Sequence, residues 1–495
     1  MPRLASCCLL LLALVAICPA AAPPSALTPA EQLDHRLIQM AARDSHILAN
    51  LTYLSDVIGP RLTGSEALLR ANEWTAEKMR SYGLVNVELE PWTIPEGWKR
   101  GFARGRILEP DNGRTLSMAS WGWYPGTKGK VEGDVVILQA RNRKELMAYQ
   151  GKLKNAIVLT APPVKLLPIE DYDRPDAMPG VAFVREKTPG AVPFDRDRGF
   201  LEARSAFLAK EGVAAILLDA SKPLGLLVTT GSWAGKDRPS ASARIPTLSL
   251  AHNQYRLLYR LASRPAPART RVEIEVENQF IPGPIKVFNT VGEIRGSDKP
   301  DEVVVIGAHL DSWDLGTGTM DNGTGTCIVL EAARILAKCG VRPRRTIRFC
   351  LFSGEEQGLH GSAAHVARRK DSIGKVSVAL IHDVGTGRVY GLGCGGWPAA
   401  QELLQRELTS LRPLGLVDFT SRSLGGSDHM SFTRAGVPGF LMRQFAAGYP
   451  LVHHTQADTI DRAREEDLIQ GAQVIAVTAM RVANLEGLLP RQATK

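Results

Sequence analysis

Seven of the ten histidines in this chain fall between His309 and His454. Carboxylates run among them in four short segments: Gly307-Ala-His-Leu-Asp311, Met320-Asp-Asn-Gly323, Ser353-Gly-Glu-Glu-Gln357 and Ile381-His-Asp-Val384. His454, with Asp458 close behind it, follows further along. Imidazole nitrogens and carboxylate oxygens without thiolates suit a catalytic zinc pair. Structural zinc usually takes cysteines, and calcium or magnesium takes oxygen donors alone. Any one of these residues by itself reads as a surface carboxylate, a helix cap or a packed histidine. Their concentration points to metal catalysis.

Residues so far apart in sequence act together only if the fold brings them together. Three of the segments begin where an apolar run ends, and the runs alternate with helical stretches: Val303 to Ala308, Gly325 to Lys338, Thr346 to Ser353, Gly361 to Arg369 and Val376 to His382. Strands and helices alternating over such lengths predict an α/β fold, a mostly parallel central sheet with helices on both faces. Open α/β sheets hold their ligands outside the carboxyl ends of the strands. His309, the Glu355-Glu356 pair and Asp383 are therefore expected at one sheet edge, with Asp321 in a loop beside it.

Upstream, residues 27–82 read as helices, with a stop at Gly83 and then a strand over Val85 to Trp92. Between about 101 and 275 the texture turns β-rich, with short runs at Val131 to Leu138, Ala156 to Leu159 and Thr247 to Leu250. A helix over Leu201 to Lys210 there feeds a strand at Ala214 to Leu218. The segment Ile281-Pro-Gly-Pro284 reads as the break before the strand-helix-strand pattern. The expected organisation is a signal peptide over 1–22, an N-terminal part of the catalytic domain over 27–100, a β-rich insertion over 101–275 and the remaining domain over 276–495.

The motifs G-A-H-L-D-S-W-D at Gly307 to Asp314, M-D-N-G at Met320 to Gly323, G-E-E-Q-G-L-H-G-S at Gly354 to Ser362 and H-H-T-Q-A-D-T at His453 to Thr459 occur in this order. In this the chain resembles the co-catalytic zinc exopeptidases, a family that includes secreted bacterial aminopeptidases, and is nearest in pattern to its plasma glutamate carboxypeptidase branch. Gly59-Pro-Arg-Leu-Thr-Gly64-Ser65 and Asn289-Thr-Val-Gly-Glu293 add weaker support, and the likeness covers most of the chain after the signal. It implies the zinc exopeptidase fold, with residues 101–275 as a protease-associated-like insertion, and a function hydrolysing dipeptides or short peptides. It implies two zinc ions: Asp321 bridges them, His309 and Asp383 complete one site, and Glu356 and His454 complete the other. Glu355 is then the general base, Asp311 orients His309, and Asp458 is placed to orient His454. A cis peptide is implied at Asp321-Asn322, although Asn322 departs from the family's usual second Asp. His453 is left open between an oxyanion donor and a packed residue.

The chain has 495 residues, 44% of them hydrophobic and 22% charged, so it can bury a large globular core. Its start, Met-Pro-Arg followed by an apolar run from Leu9 to Ile17 and the small residues Pro19 to Ala22, reads as a secretory signal. The run is too short to span a bilayer, and no later stretch reaches that length. The expected location is therefore secreted or periplasmic, without membrane insertion. The net charge of +9 comes without a nucleic-acid-binding module, and the clusters at Arg342 to Arg348 and Arg368 to Lys370 read as solvated surface, not a nucleic-acid site. Cys327, Cys339, Cys350 and Cys394 remain after the signal and read as buried thiols or at most one disulfide. A peptide substrate is the expected partner, and a homodimer is left open. Two rival readings, a single-zinc glutaminyl cyclase and a non-catalytic receptor on the same scaffold, fit the complete donor set less well.

Overall fold

The computed structural model describes residues 27–110, 113–174, 183–184, 198–233, 244–421 and 425–491. The expected signal segment, 1–22, lies outside these residues. The run Val303-Val-Val-Ile306 sends successive side chains to opposite faces, and both faces are dry. Val304, Ile306 and Ala308 join one apolar cluster, while Val303 and Val305 join another. A strand buried on both sides needs cover on both sides, which is the environment of a parallel sheet.

Eight strands carry the argument: β1 (Val85–Glu109), β2 (Val131–Ile137), β3 (Arg271–Ile294), β4 (Lys299–His309), β5 (Arg345–Phe352), β6 (Val376–Ile381), β7 (Val389–Gly393) and β8 (Gly439–Gln444). β4 pairs in parallel with β5 and β6, and β6 in parallel with β8. Antiparallel neighbours flank this group, β3 against β5 and β7 against β8. One face is covered by the helices Thr324–Lys338 and Glu465–Asn484, whose apolar residues share a cluster with Val304 and Ile306. The other face is covered by His360–Arg368 and His429–Arg434, where Phe432 packs 6.2 Å from Phe352. The helix Glu66–Ser81 is capped by Ser65, and the chain turns away at Gly83 with φ +88°.

The strand expected to end at Trp92 runs on to Glu109, because β1 and β3 pair antiparallel along nearly their whole lengths. The limits expected at 100/101 and 275/276 fall inside these two strands. Ile281-Pro-Gly-Pro284, read as a break, is a strand segment facing Ile94 to Gly97 across a register irregularity. Proline is tolerated at such bulges, since no ladder hydrogen bond is asked of it. Gly283 is required there, because a Cβ would lie 2.0 Å from the Pro95 carbonyl oxygen. At its other end β3 pairs with β2, and the strands Ile157–Leu159, Ala215–Asp219 and Thr247–Leu250 extend that sheet around its own apolar cluster.

The basic clusters are not simply solvated surface. Arg345 is fully buried, bonded to Glu302 at 2.7 Å and to the Glu486 carbonyl at 3.1 Å, and Arg369 is paired with Glu90. All four remaining cysteines are free, so no disulfide forms among them.

Candidate metal centre

His309 is the last residue of β4, Glu355 and Glu356 follow β5, and Asp383 follows β6, so the parallel register delivers all of them to one edge. His309 Nδ1 lies 3.0 Å from the Asp311 carbonyl oxygen. A carbonyl only accepts, so Nδ1 carries the hydrogen and Nε2 presents its lone pair. That Nε2 faces Asp383 Oδ1 at 3.1 Å and Asp321 Oδ1 at 3.2 Å. His454 repeats the arrangement: its Nε2 faces Glu356 Oε2 at 2.9 Å and Asp321 Oδ2 at 3.3 Å. Lone pairs aimed at carboxylate oxygens require a cation between them, either a proton or a metal ion. Glu356 Oε1 is also buried without a hydrogen-bond partner among the described residues. The donor set and its geometry therefore fit zinc.

The electrostatics agree. Burial pushes the Glu355 carboxyl well above the usual range, with Asp383, Asp428 and Glu356 adding repulsion. Burial and the charge of Asp321 push Glu356 up to about 7. Burial does the same to Asp428 and Asp458, each raised to about 7. Burial acts to raise Asp321 as well, but His309 and His454, when a proton sits between them and the carboxylate, outweigh it and hold Asp321 well below its usual value. Crowding so many buried carboxylates is unfavourable without positive charge to offset them.

Asp311 supports the centre from behind. Its carboxylate accepts from Thr63 Oγ1 at 2.9 Å and from the Glu355 and Glu356 backbone N–H groups at 3.3 and 3.4 Å. Arg61, in the same N-terminal motif as Thr63, is buried and donates to the carbonyls of Gly59, Leu310, Thr317 and Gly318. It thereby ties the loop after β4 to the loop before Asp321. The Asp321-Asn322 peptide is cis, and Asn322 donates to the His382 carbonyl while accepting from Gly325 N–H.

Asp458 differs from the expectation. It orients no imidazole and instead accepts from the backbone N–H groups of Met320 and Asp321, at 2.5 and 3.2 Å. His453 stacks on His454 with ring centroids 3.7 Å apart, and its Nε2 lies 3.5 Å from Asp321 Oδ2. Burial and the neighbouring His454 hold it well below the usual imidazole value, so it is neutral.

Sequence reasoning missed three residues here. Asp428 is fully buried near Asp383, and its only advance signal was a carboxylate after Gly425-Gly-Ser at the start of a helix. Tyr449 is buried, its hydroxyl held well above the usual value by burial first and by the nearby charges of Asp321, Asp383 and Glu356, and its spacing of four from His453 was the available clue. Lys222, in the 101–275 region, is buried and donates to the carbonyl of Pro450, three residues before His453, and nothing local in the sequence marks it. The segment that carries it is joined to the loop of His454. Thr229 N–H donates to the His454 carbonyl at 3.1 Å, Leu227 N–H donates to Gln456 at 2.8 Å, and Val228 forms a β-bridge with Thr455.

The model of peptidase family M28 matches residues 289–479, a span that contains His309, Asp321, Glu356, Asp383 and His454. Carboxypeptidase Q of Xenopus laevis is 31% identical over 445 residues, which cover 89% of this chain and 86% of that protein. Carboxypeptidase Q of Homo sapiens is 30% identical over 443 residues, with the same 89% and 86% covered. Among solved structures, a peptidase M28 precursor from Shewanella amazonensis is similar over 94% of this chain and 99% of that one, with a TM-score of 0.76 and 26% identity. A zinc aminopeptidase from Bacillus subtilis shares the fold, with a TM-score of 0.60 and 19% identity over 88% of this chain and 93% of that one.

Proposed function

We propose, since this chain belongs to peptidase family M28, that it is an exopeptidase with two zinc ions that hydrolyses dipeptides or short peptides. Membership makes it a zinc metallopeptidase. The finer reading rests above all on Asp321, whose two oxygens face two separate imidazoles, His309 beside Asp383 and His454 beside Glu356. Those five residues would hold the metals, with Asp321 shared.

Zinc bound there supplies Lewis acidity for the scissile carbonyl and lowers the pKa of water at the centre. Glu355 is the general base: it takes the proton from the attacking water and passes it to the leaving amine. Its neighbour Glu356 is already paired with His454, which leaves Glu355 for proton transfer. Neutral His453, beside Asp321, is placed to donate to the oxygen on which negative charge develops. The edge of Trp313, with its centroid 5.9 Å from that of His454, helps keep bulk water from this side. The apolar run from Leu9 to Ile17 supports export to the periplasm or the exterior, and among the described residues no helix is long and apolar enough to cross a membrane.

The direct test is release of free amino acids from a panel of unblocked dipeptides by the purified enzyme. Failure to cleave any of them, in protein with its metals bound, would sink the peptidase reading. Asp311→Ala supplies a second check. With the tie to Thr63 and to the Glu355-Glu356 backbone gone, zinc affinity should fall about 10- to 100-fold, read by competition with a zinc-binding dye. Unchanged affinity would make Asp311 irrelevant to the metals.

A further inference from the structure

Between the short helix Tyr449–Val452 and the turn Ile460–Arg462, the chain that carries His454 has neither helix nor strand. His454 itself has φ +62°, in the left-handed region, where a residue with a Cβ stays only if its surroundings hold it. Two other stretches do the holding. From the 101–275 region, Thr229 N–H donates to the His454 carbonyl at 3.1 Å, Val228 bridges to Thr455 and Leu227 N–H donates to Gln456. From the loop after β4, Thr317 N–H donates to the Asp458 carbonyl at 2.8 Å. Gly316 packs beside it so closely that a Cβ would lie 2.7 Å from the Thr455 carbonyl oxygen and 2.6 Å from that of Asp458. Trp313, in the same loop, lies edge-on to the His454 ring.

One side chain is bonded to both stretches. Arg100, on β1, donates from Nε and Nη2 to the two carboxylate oxygens of Asp314, at 3.0 and 2.7 Å. Its Nη2 also donates to Thr229 Oγ1 at 3.0 Å, and its Nη1 to the Ser120 carbonyl. The planar guanidinium fixes these directions together, which a single ammonium cannot do. Arg100 and Asp314 are mostly buried, at 14% and 13% exposure, so salt screens the pair less than it would at the surface. His309 needs no such support, because it ends β4 between β5 and β6.

We propose that Arg100 is a positioning residue for one of the two metal sites. By tying the stretch 227–229 to the loop after β4 it sets the place of His454, and through His454 the grip on the ion shared with Glu356. This role rests on the reading of His454 and Glu356 as zinc donors, and adds to it a residue that lies outside the motifs holding the donors. The 101–275 region then takes part in holding the metal, although it supplies none of the five donors.

The test is a titration of the metal-free, full-length protein with zinc in competition with a chromophoric chelator, which reads the two affinities separately. Arg100→Met should weaken one ion by about 10-fold, the lower end of the scale for residues that orient metal ligands, and leave the other unchanged. Arg100→Lys, which keeps the charge but not the fork, should restore only part of the loss. Thr229→Val deletes just the hydroxyl that Arg100 donates to, and should weaken the same ion by a smaller factor. In a His454→Ala background Arg100→Met should change neither affinity further, because the residue it acts through is gone. Wild-type affinities in Arg100→Met, equal weakening of both ions, or a full further loss in the His454→Ala background would each overturn the role. If Arg100→Met does not fold, wild-type affinities in Thr229→Val overturn it instead. A wild type that takes up a single ion removes the dinuclear reading; Arg100 keeps its role if that ion is weakened by Arg100→Met and by His454→Ala, and loses it otherwise. None of these measurements depends on turnover, so a failure to cleave dipeptides would remove the peptidase reading alone.

Discussion

Glu355→Gln is expected to retain its zinc and its fold while losing at least about 100-fold in kcat, the scale for removal of a general base. The neighbouring Glu356→Gln should behave differently, losing metal and regaining part of its activity when zinc is added. The two residues are chemically alike and adjacent, yet their surroundings differ. Glu356 faces His454 at 2.9 Å, whereas Glu355 sits among the charges of His309, Asp383 and Asp428. An amide at position 355 can still accept a hydrogen bond from water but cannot take its proton. An amide at position 356 presents a weaker donor to the metal. Zinc content by mass spectrometry and kcat, measured on both variants, decide the assignment. Metal loss in Glu355→Gln together with retention in Glu356→Gln would reverse the roles.

Removal of metal should have an even larger effect. Dialysis against a chelator is expected to abolish activity, and added zinc to restore it, with close to two ions per chain in the active protein. The apoprotein should also melt at a lower temperature, because the buried carboxylates of Asp321, Glu356 and Asp383 then repel one another with only protonated imidazoles to offset them, and because a ligand bound only by the native state stabilises it. Asp321→Ala should reduce occupancy at both proposed sites together, since its two oxygens face His309 and His454 separately. A fully active enzyme with one zinc, or with none, would refute the dinuclear centre.

Part of the candidate site was legible because a parallel sheet converts sequence order into position. An apolar run followed by a polar, ligand-type residue marks a strand's carboxyl end, and His309, Glu355 and Asp383 all sit at such ends. Asp321 and His454 lie in loops, where no periodicity operates, and their assignment came from resemblance. Asp458 was misread for the same reason: nearness to His454 along the chain did not fix where its carboxylate points, and it turned to the backbone of Met320 and Asp321. The contact of Lys222 with Pro450 was invisible because the two lie more than two hundred residues apart in the chain. The Pro-Gly-Pro run at 282–284 looked like a linker because its composition is that of a turn. Pairing with β1 overrode the local preference, as tertiary context often does in strands.

The ribbon of β1 and β3 has a consequence in time. Val85 pairs with Glu293, so more than half of the chain must emerge before that end of the ribbon can form, and the proposed metal donors extend on to His454, so the chain is almost complete before its site can close. Contacts of such long range form late and slowly. A partly synthesised or still unfolded chain therefore holds scattered histidines and carboxylates but no working centre. For a hydrolase, that delay protects the machinery that makes it: the polypeptide is harmless while unfinished and acquires its cutting power, with its zinc, only once it has folded.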